Sequence, residues 1–289
     1  MIPHEEPIRW DAAARQLVGV LHHPASGRPR PVGAVLVVHP FAEEKKFSHR
    51  VLVRLSRELA RRDVASLRFD LSGCGDSFGD SRDATLAHWR DEIDAAREQL
   101  AARFPDVPQV LMGLRLGATL ALAAAAQTSP PPSPRLQRAS PPALVLWEPV
   151  ISGRKYVDEI LRRRMIKEMM TTGKKATGRE QVLAQLETDG YLDLDGIAVG
   201  RSLIEEVATL DAGTFAATFT GKALCVQIAF NAKVSAALDA LAETLRAAGA
   251  RAETVGIREQ VIWDRVELVE GEELIRTSAD WIASLTHDG

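Results

Sequence analysis

The sequence predicts an α/β protein built on a mostly parallel central sheet with helices on both of its faces. Short apolar runs rich in β-branched residues alternate along the chain with longer segments of helical spacing. Apolar runs of this kind are typical of strands that are buried on both faces. The repeated order of strand and helix favours parallel pairing, because each helix returns the chain to the edge of the sheet where the previous strand began.

The first half of the chain shows this alternation without interruption. The run 32–38 is apolar throughout and ends at His39, and the run 64–69 ends at Asp70. Between them, apolar residues recur at the three- and four-residue spacing of one helix face. The elements predicted up to residue 126 are strands at 16–21, 32–38, 64–69 and 107–112, and helices at 48–62, 86–103 and 118–126.

The second half repeats the alternation around an insertion. Strands are predicted at 143–147, 223–230 and 255–263, and helices at 152–170, 234–248 and 272–285. A helical cap is predicted at 152–219, where beyond the first helix the pattern becomes short and only partly helical. The core is then formed by 12–151 and 220–286. The Pro- and Ser-rich segment 128–142 is predicted to be a surface loop, since the alternation resumes after it.

Composition argues against several classes of function. The 289 residues carry a formal net charge of -3, which gives no attraction for nucleic acid or an anionic membrane surface. The start at 1–11 lacks the basic and apolar parts of a signal peptide, and no apolar run reaches the roughly 20 residues of a transmembrane helix. Two distant cysteines indicate reduced thiols, so a cytoplasmic location is expected. No metal-ligand cluster or dinucleotide fingerprint occurs, so neither a metal nor another cofactor is expected.

A sharp turn with a cation at its centre is the most informative motif. The segment GLRLG (113–117) lies between a predicted strand and a predicted helix, with Arg115 between two glycines. In serine hydrolases the same frame is G-x-S-x-G, and its serine is the nucleophile. Two more segments agree in order and spacing, since HPF (39–41) follows one buried strand and DLSGCGDS (70–77) follows the next. Together the three segments predict an α/β-hydrolase fold.

Four segments carry a narrower resemblance, and they are HPFAEE (39–44), DLSGCGDS (70–77), GLRLG (113–117) and LWEPVISG (146–153). They resemble the exosortase A system-associated hydrolase 2 family, over roughly residues 16–170. The resemblance implies an α/β-hydrolase-like bacterial protein associated with exopolysaccharide production. The turn at 113–117 corresponds to the nucleophile elbow of the serine hydrolases, and we call it the elbow. An arginine in the elbow is usual in this group, so the resemblance implies that Arg115 is not a defect of this chain.

The positions that would complete a catalytic triad are empty in the sequence. An acid is expected after a late strand and a histidine after the last strand. The chain instead continues with NAK (231–233) after the strand 223–230 and with WDR (263–265) after the run 255–262. His287 lies beyond the final helix, in a tail. We therefore do not expect conventional Ser-His-Asp catalysis.

Other residues near this edge of the sheet offer alternatives. Glu148 follows a strand where some α/β-hydrolases hold their acid, or it is a solvated or arginine-paired loop carboxylate. His39 lies at the mouth of the sheet and either takes part in function or holds the loop by a hydrogen bond. Cys74 has no predicted histidine partner and is interpreted as a packed thiol. The side chains predicted to line a ligand site are His39, Phe41, Glu43, Glu44, Arg115, Leu116 and Trp147.

Arg115 requires an anionic partner. Its guanidinium stays protonated and cannot act as a nucleophile. It stands at the start of a predicted helix, where the helix dipole disfavours a cation, so an anion is expected beside it. That partner is either a ligand or an internal carboxylate, for which the candidates are Glu43, Glu44, Asp76 and Glu148. The charge cluster 43–46, which by itself indicates a solvated loop, lies beside the predicted pocket.

Three functions remain open from the sequence. The first is a binding or accessory protein of bacterial exopolysaccharide production without Ser-His-Asp catalysis, whose partner is an anionic small molecule or an acyl or saccharide intermediate. The second is a hydrolase of an ester or thioester that uses a non-standard site around His39, Arg115 and Glu148. The third is a scaffold that binds a partner protein through the cap, whose basic helical stretch 154–167 is either a solvated face or the contact for an acidic partner.

Overall fold

An eight-stranded sheet forms the centre of the protein. The computed structural model describes residues 4–126, 133–138, 141–172, 178–264 and 269–285. The strands are β1 (Glu5–Ala12), β2 (Arg15–His22), β3 (Gly33–Val38), β4 (Val64–Phe69), β5 (Gln109–Leu114), β6 (Ala143–Trp147), β7 (Tyr191–Leu194), β8 (Ile197–Gly200), β9 (Lys222–Ile228) and β10 (Arg251–Ile257). The helices are α1 (Glu43–Arg61), α2 (Leu86–Arg103), α3 (Leu116–Ala125), α4 (Pro134–Arg138), α5 (Gly153–Thr172), α6 (Arg179–Asp189), α7 (Arg201–Thr209), α8 (Ala212–Ala216), α9 (Ala236–Ala247) and α10 (Glu272–Ser284).

The sheet is parallel except at one edge. Its strand order is β1-β2-β4-β3-β5-β6-β9-β10, while β7 and β8 form a separate hairpin. β1 pairs antiparallel with β2, and β2 pairs antiparallel with β4, whereas the pairs from β4 to β10 are parallel. The predicted mostly parallel sheet is confirmed.

Alternate residues of β3 enter two different apolar cores. Leu36 packs in the cluster on one side of the sheet, whereas Val35 and Val37 belong to the cluster on the other side. Helices α2, α3 and α9 supply side chains to the first cluster, and α1 and α10 supply the second. Because both faces are covered, β3 is apolar at every position, and the prediction of helices on both faces is confirmed.

Strand β1 is missing from the sequence prediction. Its segment is polar overall, but Ile8, Trp10 and Ala12 alternate with exposed residues and are buried. An edge strand of this kind has the period of two that belongs to a half-buried strand, and it lacks the continuous apolar run of the central strands.

Two boundaries differ from the prediction in ways that shape the site. Helix α1 begins at Glu43 rather than at residue 48, so the predicted solvated loop at 43–46 is wrong. Two acidic residues in the first turn complement the helix dipole, and Glu44 is buried. Strand β10 ends at Ile257 rather than at residue 263, which frees the following segment to leave the sheet.

The chain between β6 and β9 is more regular than predicted. It contains α5 to α8 and the β7–β8 hairpin, and the division into a core and a cap at 152–219 stays a prediction. Helix α4 lies within the predicted loop 128–142, of which 128–132 and 139–140 fall outside the described residues, as does His287. Within the described part of the chain, every helix is too short or too polar to cross a membrane.

Candidate functional site

The turn between β5 and α3 places Arg115 at the carboxyl edge of the sheet. Its backbone has φ 54° and ψ -122°, a conformation that L-residues rarely adopt. The Arg115 N–H donates to the Trp147 carbonyl at 2.9 Å, and the Arg115 carbonyl accepts from Ala118 N–H at 3.0 Å. These bonds hold the strained turn in place, so that its side chain projects from the sheet edge.

Both glycines of the turn are required by close backbone contact. A Cβ atom on Gly113 would lie 2.3 Å from the Gly117 carbonyl oxygen. A Cβ atom on Gly117 would lie 2.4 Å from the carbonyl oxygens of Val38 and His39. The frame of the motif therefore packs the turn against the end of β3 and brings Arg115 close to the start of α1.

The Arg115 guanidinium lies among carboxylates and aromatic rings. Its Nε is 3.4 Å from Glu44 Oε1, and its Nη2 is 2.9 Å from Glu159 Oε2. Its Cζ lies 5.2 Å from the centroid of the Tyr156 ring and 5.1 Å from that of the Trp263 ring, within the range of cation–π attraction. Burial alone would lower the pKa of Arg115, but the neighbouring Glu44, Tyr156 and Glu159 outweigh it and raise this pKa, so the group stays charged.

Glu44 is the buried anion that compensates this cation. Its side chain is 5% exposed. Oε2 accepts from the Tyr156 hydroxyl at 2.8 Å, and Oε1 accepts from Arg163 Nη2 at 2.8 Å. Burial and the adjoining carboxylate raise the pKa of Tyr156, which keeps its hydroxyl protonated as the donor. A buried carboxylate persists when its lone pairs are satisfied in this way.

Four charged side chains form a closed ring, which we call the charge ring: Glu44, Arg115, Glu159 and Arg163. Glu159 Oε1 lies 3.3 Å from Arg163 Nη2, so each carboxylate contacts both guanidinium groups. Glu44 closes the ring on the inner side, and Glu159, at 47% exposure, closes it on the side of solvent.

The segment after the last strand brings an indole to the elbow. Trp263, which follows β10, is buried, and its ring contacts the Arg115 guanidinium. A serine hydrolase would present a histidine from this segment.

His39 connects two loops through its ring nitrogens. Its Nε2 accepts from the Leu71 N–H at 3.2 Å, so the proton is on Nδ1, which donates to the Pro40 carbonyl at 2.7 Å. Burial, helped by the nearby Lys45, lowers the pKa of His39 to about 4. The ring is therefore neutral, and both of its nitrogens are used to hold the loops.

Glu148 joins β6 to β9. Its Oε1 accepts from the Ile228 N–H at 2.6 Å and from Gln227 Nε2 at 2.5 Å, and its own backbone has φ 47°. Burial raises the pKa of Glu148, while these two hydrogen bonds and the charge of Arg115 oppose the rise. These contacts hold the Glu148 carboxylate against the end of β9, and its role as a catalytic acid stays a prediction.

The apolar residues predicted to line a ligand site lie in the core. Trp147 is fully buried and its indole N–H donates to Ser278 Oγ at 2.8 Å, so the structure does not bring it to the site. Leu116 is also buried in the core. Phe41 borders a cavity of only about 10 Å³, which has room for no more than one water molecule. The other side chains around this cavity are Val157, Ile160, Leu161, Leu194, Ile204 and Val207.

The remaining polar candidates are placed outside the charge ring. Glu43 contacts Lys167 Nζ at 3.0 Å, and that ammonium also contacts Asp195 at 2.6 Å. Asp76 is exposed, and its backbone N–H donates to Asp70. Cys74 is packed against the core, and burial raises its pKa to about 11, which is unfavourable for a nucleophilic thiolate. Among the described residues, no group of acidic, His and Cys side chains could hold a metal ion.

Tyr156, Glu159, Arg163 and Trp263 are the site residues that the sequence reasoning missed. The first three recur at intervals of three and four residues on α5, so they share one helix face. That spacing was available as a signal in a helix otherwise interpreted as a basic cap face. Nothing in the sequence indicated that this face turns toward the elbow.

Comparisons with solved structures show the fold. Est1E from Butyrivibrio proteoclasticus, in a structure with bound ferulic acid, has a TM-score of 0.64 at 19% identity, covering 97% of this chain and 98% of that one. A proline iminopeptidase from Mycobacterium smegmatis has a TM-score of 0.63 at 13% identity, with 98% and 99% covered. At these identities the likeness shows the fold alone, and the fold is that of the α/β-hydrolases.

A family-model match classifies the chain more narrowly than the fold does. The family model for serine aminopeptidase, S33 (Hydrolase_4), matches residues 29–204, which is more than half of the chain, and the chain belongs to this family. Palmitoyl-protein thioesterase ABHD10, mitochondrial, is 44% identical over 61 residues in both Homo sapiens and Pongo abelii. This match covers 21% of the chain and spans only 19% of the length of those relatives. The resemblance to the exosortase-associated group stays a prediction.

Proposed function

We propose that this protein is a non-catalytic member of its family that acts as a binding or accessory protein. The observation that carries the proposal is Arg115 itself, because a permanently charged guanidinium stands at the tip of the elbow and is neutralised from inside by Glu44. A group that stays protonated and is committed to two carboxylates cannot attack an acyl carbon.

The neighbouring groups support the same proposal. Trp263, from the segment after the last strand, lies against Arg115, and His39 uses both ring nitrogens in loop contacts. Glu148 is held by the backbone of β9. The site thus keeps the strained frame of a hydrolase and uses it to present a fixed cation.

A setting in bacterial exopolysaccharide production is part of the proposal. It rests on the segments HPFAEE (39–44) and GLRLG (113–117), and Glu44 and Arg115 of these two segments form the inner contact of the charge ring. The ligand class is an anionic small molecule or an acyl or saccharide intermediate, since Arg115 favours carboxylate or phosphate.

A fluorophosphonate probe and a panel of aryl esters and acyl thioesters test the proposal. We expect no labelling and no turnover above the rate in buffer, while an active serine esterase serves as the positive control. Turnover that disappears in Arg115→Ala or His39→Ala would contradict a non-catalytic role. The thermal midpoint of each variant shows whether it is folded.

A second candidate is hydrolysis of an ester or thioester by a non-standard site. The match to a palmitoyl-protein thioesterase favours it, together with the strained elbow that Arg115 retains. In this scheme Arg115 stabilises the oxyanion, and Glu148 removes a proton from an attacking water. Glu148 then returns that proton to the alkoxide or thiolate that leaves when the C–O or C–S bond of the substrate breaks. The raised pKa of Glu148 suits a general base. Glu148→Gln would then abolish turnover, whereas it has no activity to abolish under the first proposal.

A further inference from the structure

We propose that Glu159 is a built-in occupant of an external carboxylate site, and that a small-molecule monocarboxylate binds the charge ring by displacing it. The inference rests on the proposed function only in treating Arg115 as a binding group. Its experiment measures binding and not turnover, so the two can fail separately.

The geometry shows that the ring accepts a carboxylate from the side of solvent. Glu159 places one oxygen 2.9 Å from Arg115 Nη2 and the other 3.3 Å from Arg163 Nη2. Two guanidinium groups that share the two oxygens of one carboxylate form the arrangement by which arginines recognise such a ligand. A ligand carboxylate in the same place would make the same contacts.

The two carboxylates of the ring differ in how readily they can leave it. Glu44 is 5% exposed and is also fixed by the Tyr156 hydroxyl, so it belongs to the interior. Glu159 is 47% exposed and extends from α5, and rotation about its side-chain bonds would carry it into water. Because Glu159 is the exposed partner of its pairs, its charge is hydrated once it leaves the ring, and Glu44 still compensates Arg115 from the inner side.

Charge balance selects a monoanion. With Glu159 removed, the ring holds two cations, Arg115 and Arg163, and one anion, Glu44, and one positive charge is left to neutralise. Glu148 lies within electrostatic reach of Arg115 and adds further negative potential. A phosphate dianion would place excess negative charge beside the buried Glu44, and we therefore expect carboxylate to bind more tightly than phosphate.

Titration of the ¹⁵N-labelled full chain with sodium acetate tests the proposal. The Nε–Hε resonance of Arg115 is assigned from its loss in Arg115→Lys, and sodium chloride keeps the ionic strength constant. We expect this resonance to shift and saturate in the wild type. In Glu159→Gln the midpoint should fall to about one half to one fifth of the wild-type acetate concentration, because no internal carboxylate then competes for the outer side of the ring.

The neighbouring Asp158 supplies a matched control. It lies on the same helix with similar exposure but pairs with Arg179 at 2.7 Å, so Asp158→Asn should keep the wild-type midpoint. Glu159→Asp, which withdraws the carboxylate, is a second variant that should act like Glu159→Gln. An Arg115 resonance that ignores acetate, a midpoint unchanged by both Glu159 variants, or tighter binding of dianionic phosphate would each overturn the proposal.

Discussion

Helix α1 carries arginine–carboxylate pairs at two places that differ in their exposure to water. At its N-terminal end Glu44 meets Arg115, and these side chains are 5% and 12% exposed. Along its outer face Arg50 meets Glu270, and these are 50% and 47% exposed. Further outer pairs involve Arg54, Arg57, Arg61 and Arg62. The contribution of these ion pairs to stability therefore depends more on how far each pair is exposed to water than on how many pairs there are.

The inner pair has structural consequences that the outer pairs lack. Removing one partner of a buried pair leaves the other charged and without water, whereas a partner left alone on the outer face is hydrated. Glu44 is shared by Arg115, Arg163 and Tyr156, so its loss would affect the elbow and helix α5 together.

Glu44→Ala is the strongest test of the difference between the inner and outer pairs, and we expect it to have the largest effect on stability. The substitution leaves Arg115 and Arg163 without their buried anion, and the free energy of unfolding should fall by about 3–5 kcal/mol. Urea unfolding followed by circular dichroism measures this loss. Glu43→Ala is the matched control, because Glu43 is 29% exposed and pairs with the exposed Lys167, so it should cost less than about 1 kcal/mol.

A double-mutant cycle separates the charge effect from simple truncation. If the Glu44 carboxylate serves Arg115, then adding Arg115→Ala to Glu44→Ala should cost less than Arg115→Ala costs alone. Equal losses from Glu44→Ala and Glu43→Ala would instead show that the inner pair behaves like the outer ones.

Acid sensitivity is the next expected effect, because burial near this end of α1 also keeps His39 neutral. Burial and Lys45 lower its pKa from 6.5 to about 4, so between these values the unfolded chain binds the proton more readily. The stability from neutral His39 is therefore complete above pH 6.5 and lost as the pH falls to about 4, and it amounts to about 3 kcal/mol. His39→Gln should flatten the dependence of unfolding free energy on pH in this window.

His22 sets the size of that change. It is fully buried and its pKa is also lowered to about 4, mainly by burial, so His39→Gln should retain a part of the acid sensitivity. Adding His22→Gln should remove much of the remainder. A pH profile that His39→Gln leaves unchanged would show that His39 does not titrate with unfolding.

The third prediction concerns the elbow, which holds Arg115 in position for its contact with Glu44. In Gly117→Ala the new Cβ would lie 2.4 Å from the His39 carbonyl oxygen, so backbone must move, and we expect a loss of about 1–3 kcal/mol. Gly249→Ala is a useful contrast, because its positive φ of 97° strains the variant although no atom lies within 4 Å of the new Cβ. Only Gly117→Ala should also shift the Arg115 resonance.

Much of the fold was predictable, because burial on both faces leaves a local signature. Local sequence is enough to recognise the buried strand in the apolar run 32–38 and the tight turn at Gly113 and Gly117. Strand β1 was not predicted, because in this edge strand the apolar residues only alternate with polar and charged ones and form no continuous run. The start of α1 escaped because four consecutive charges resemble a solvated loop until packing buries one of them.

The site was predictable only in part. Arg115 and its need for an anion follow from the motif, and Glu44 was among the named candidates. Glu159, Arg163 and Trp263 could not be selected, since their proximity depends on how α5 and the segment after β10 fold back over the sheet edge. Such contacts join residues far apart in sequence and have no local period to reveal them.

We expect the smallest change in stability from a substitution on the outer face of α1, which tests whether the exposed pairs contribute little. Arg50→Ala removes the 2.7 Å pair with Glu270 and should lower the free energy of unfolding by less than about 1 kcal/mol. The screening length shrinks from about 10 Å at 0.1 M salt to about 3 Å at 1 M, so this difference should fade as sodium chloride is added, while that of Glu44→Ala persists. Urea unfolding of both variants at low and high salt decides the matter. If salt weakened both differences equally, ions would be reaching the charge ring, and the inner and outer pairs would belong to one class.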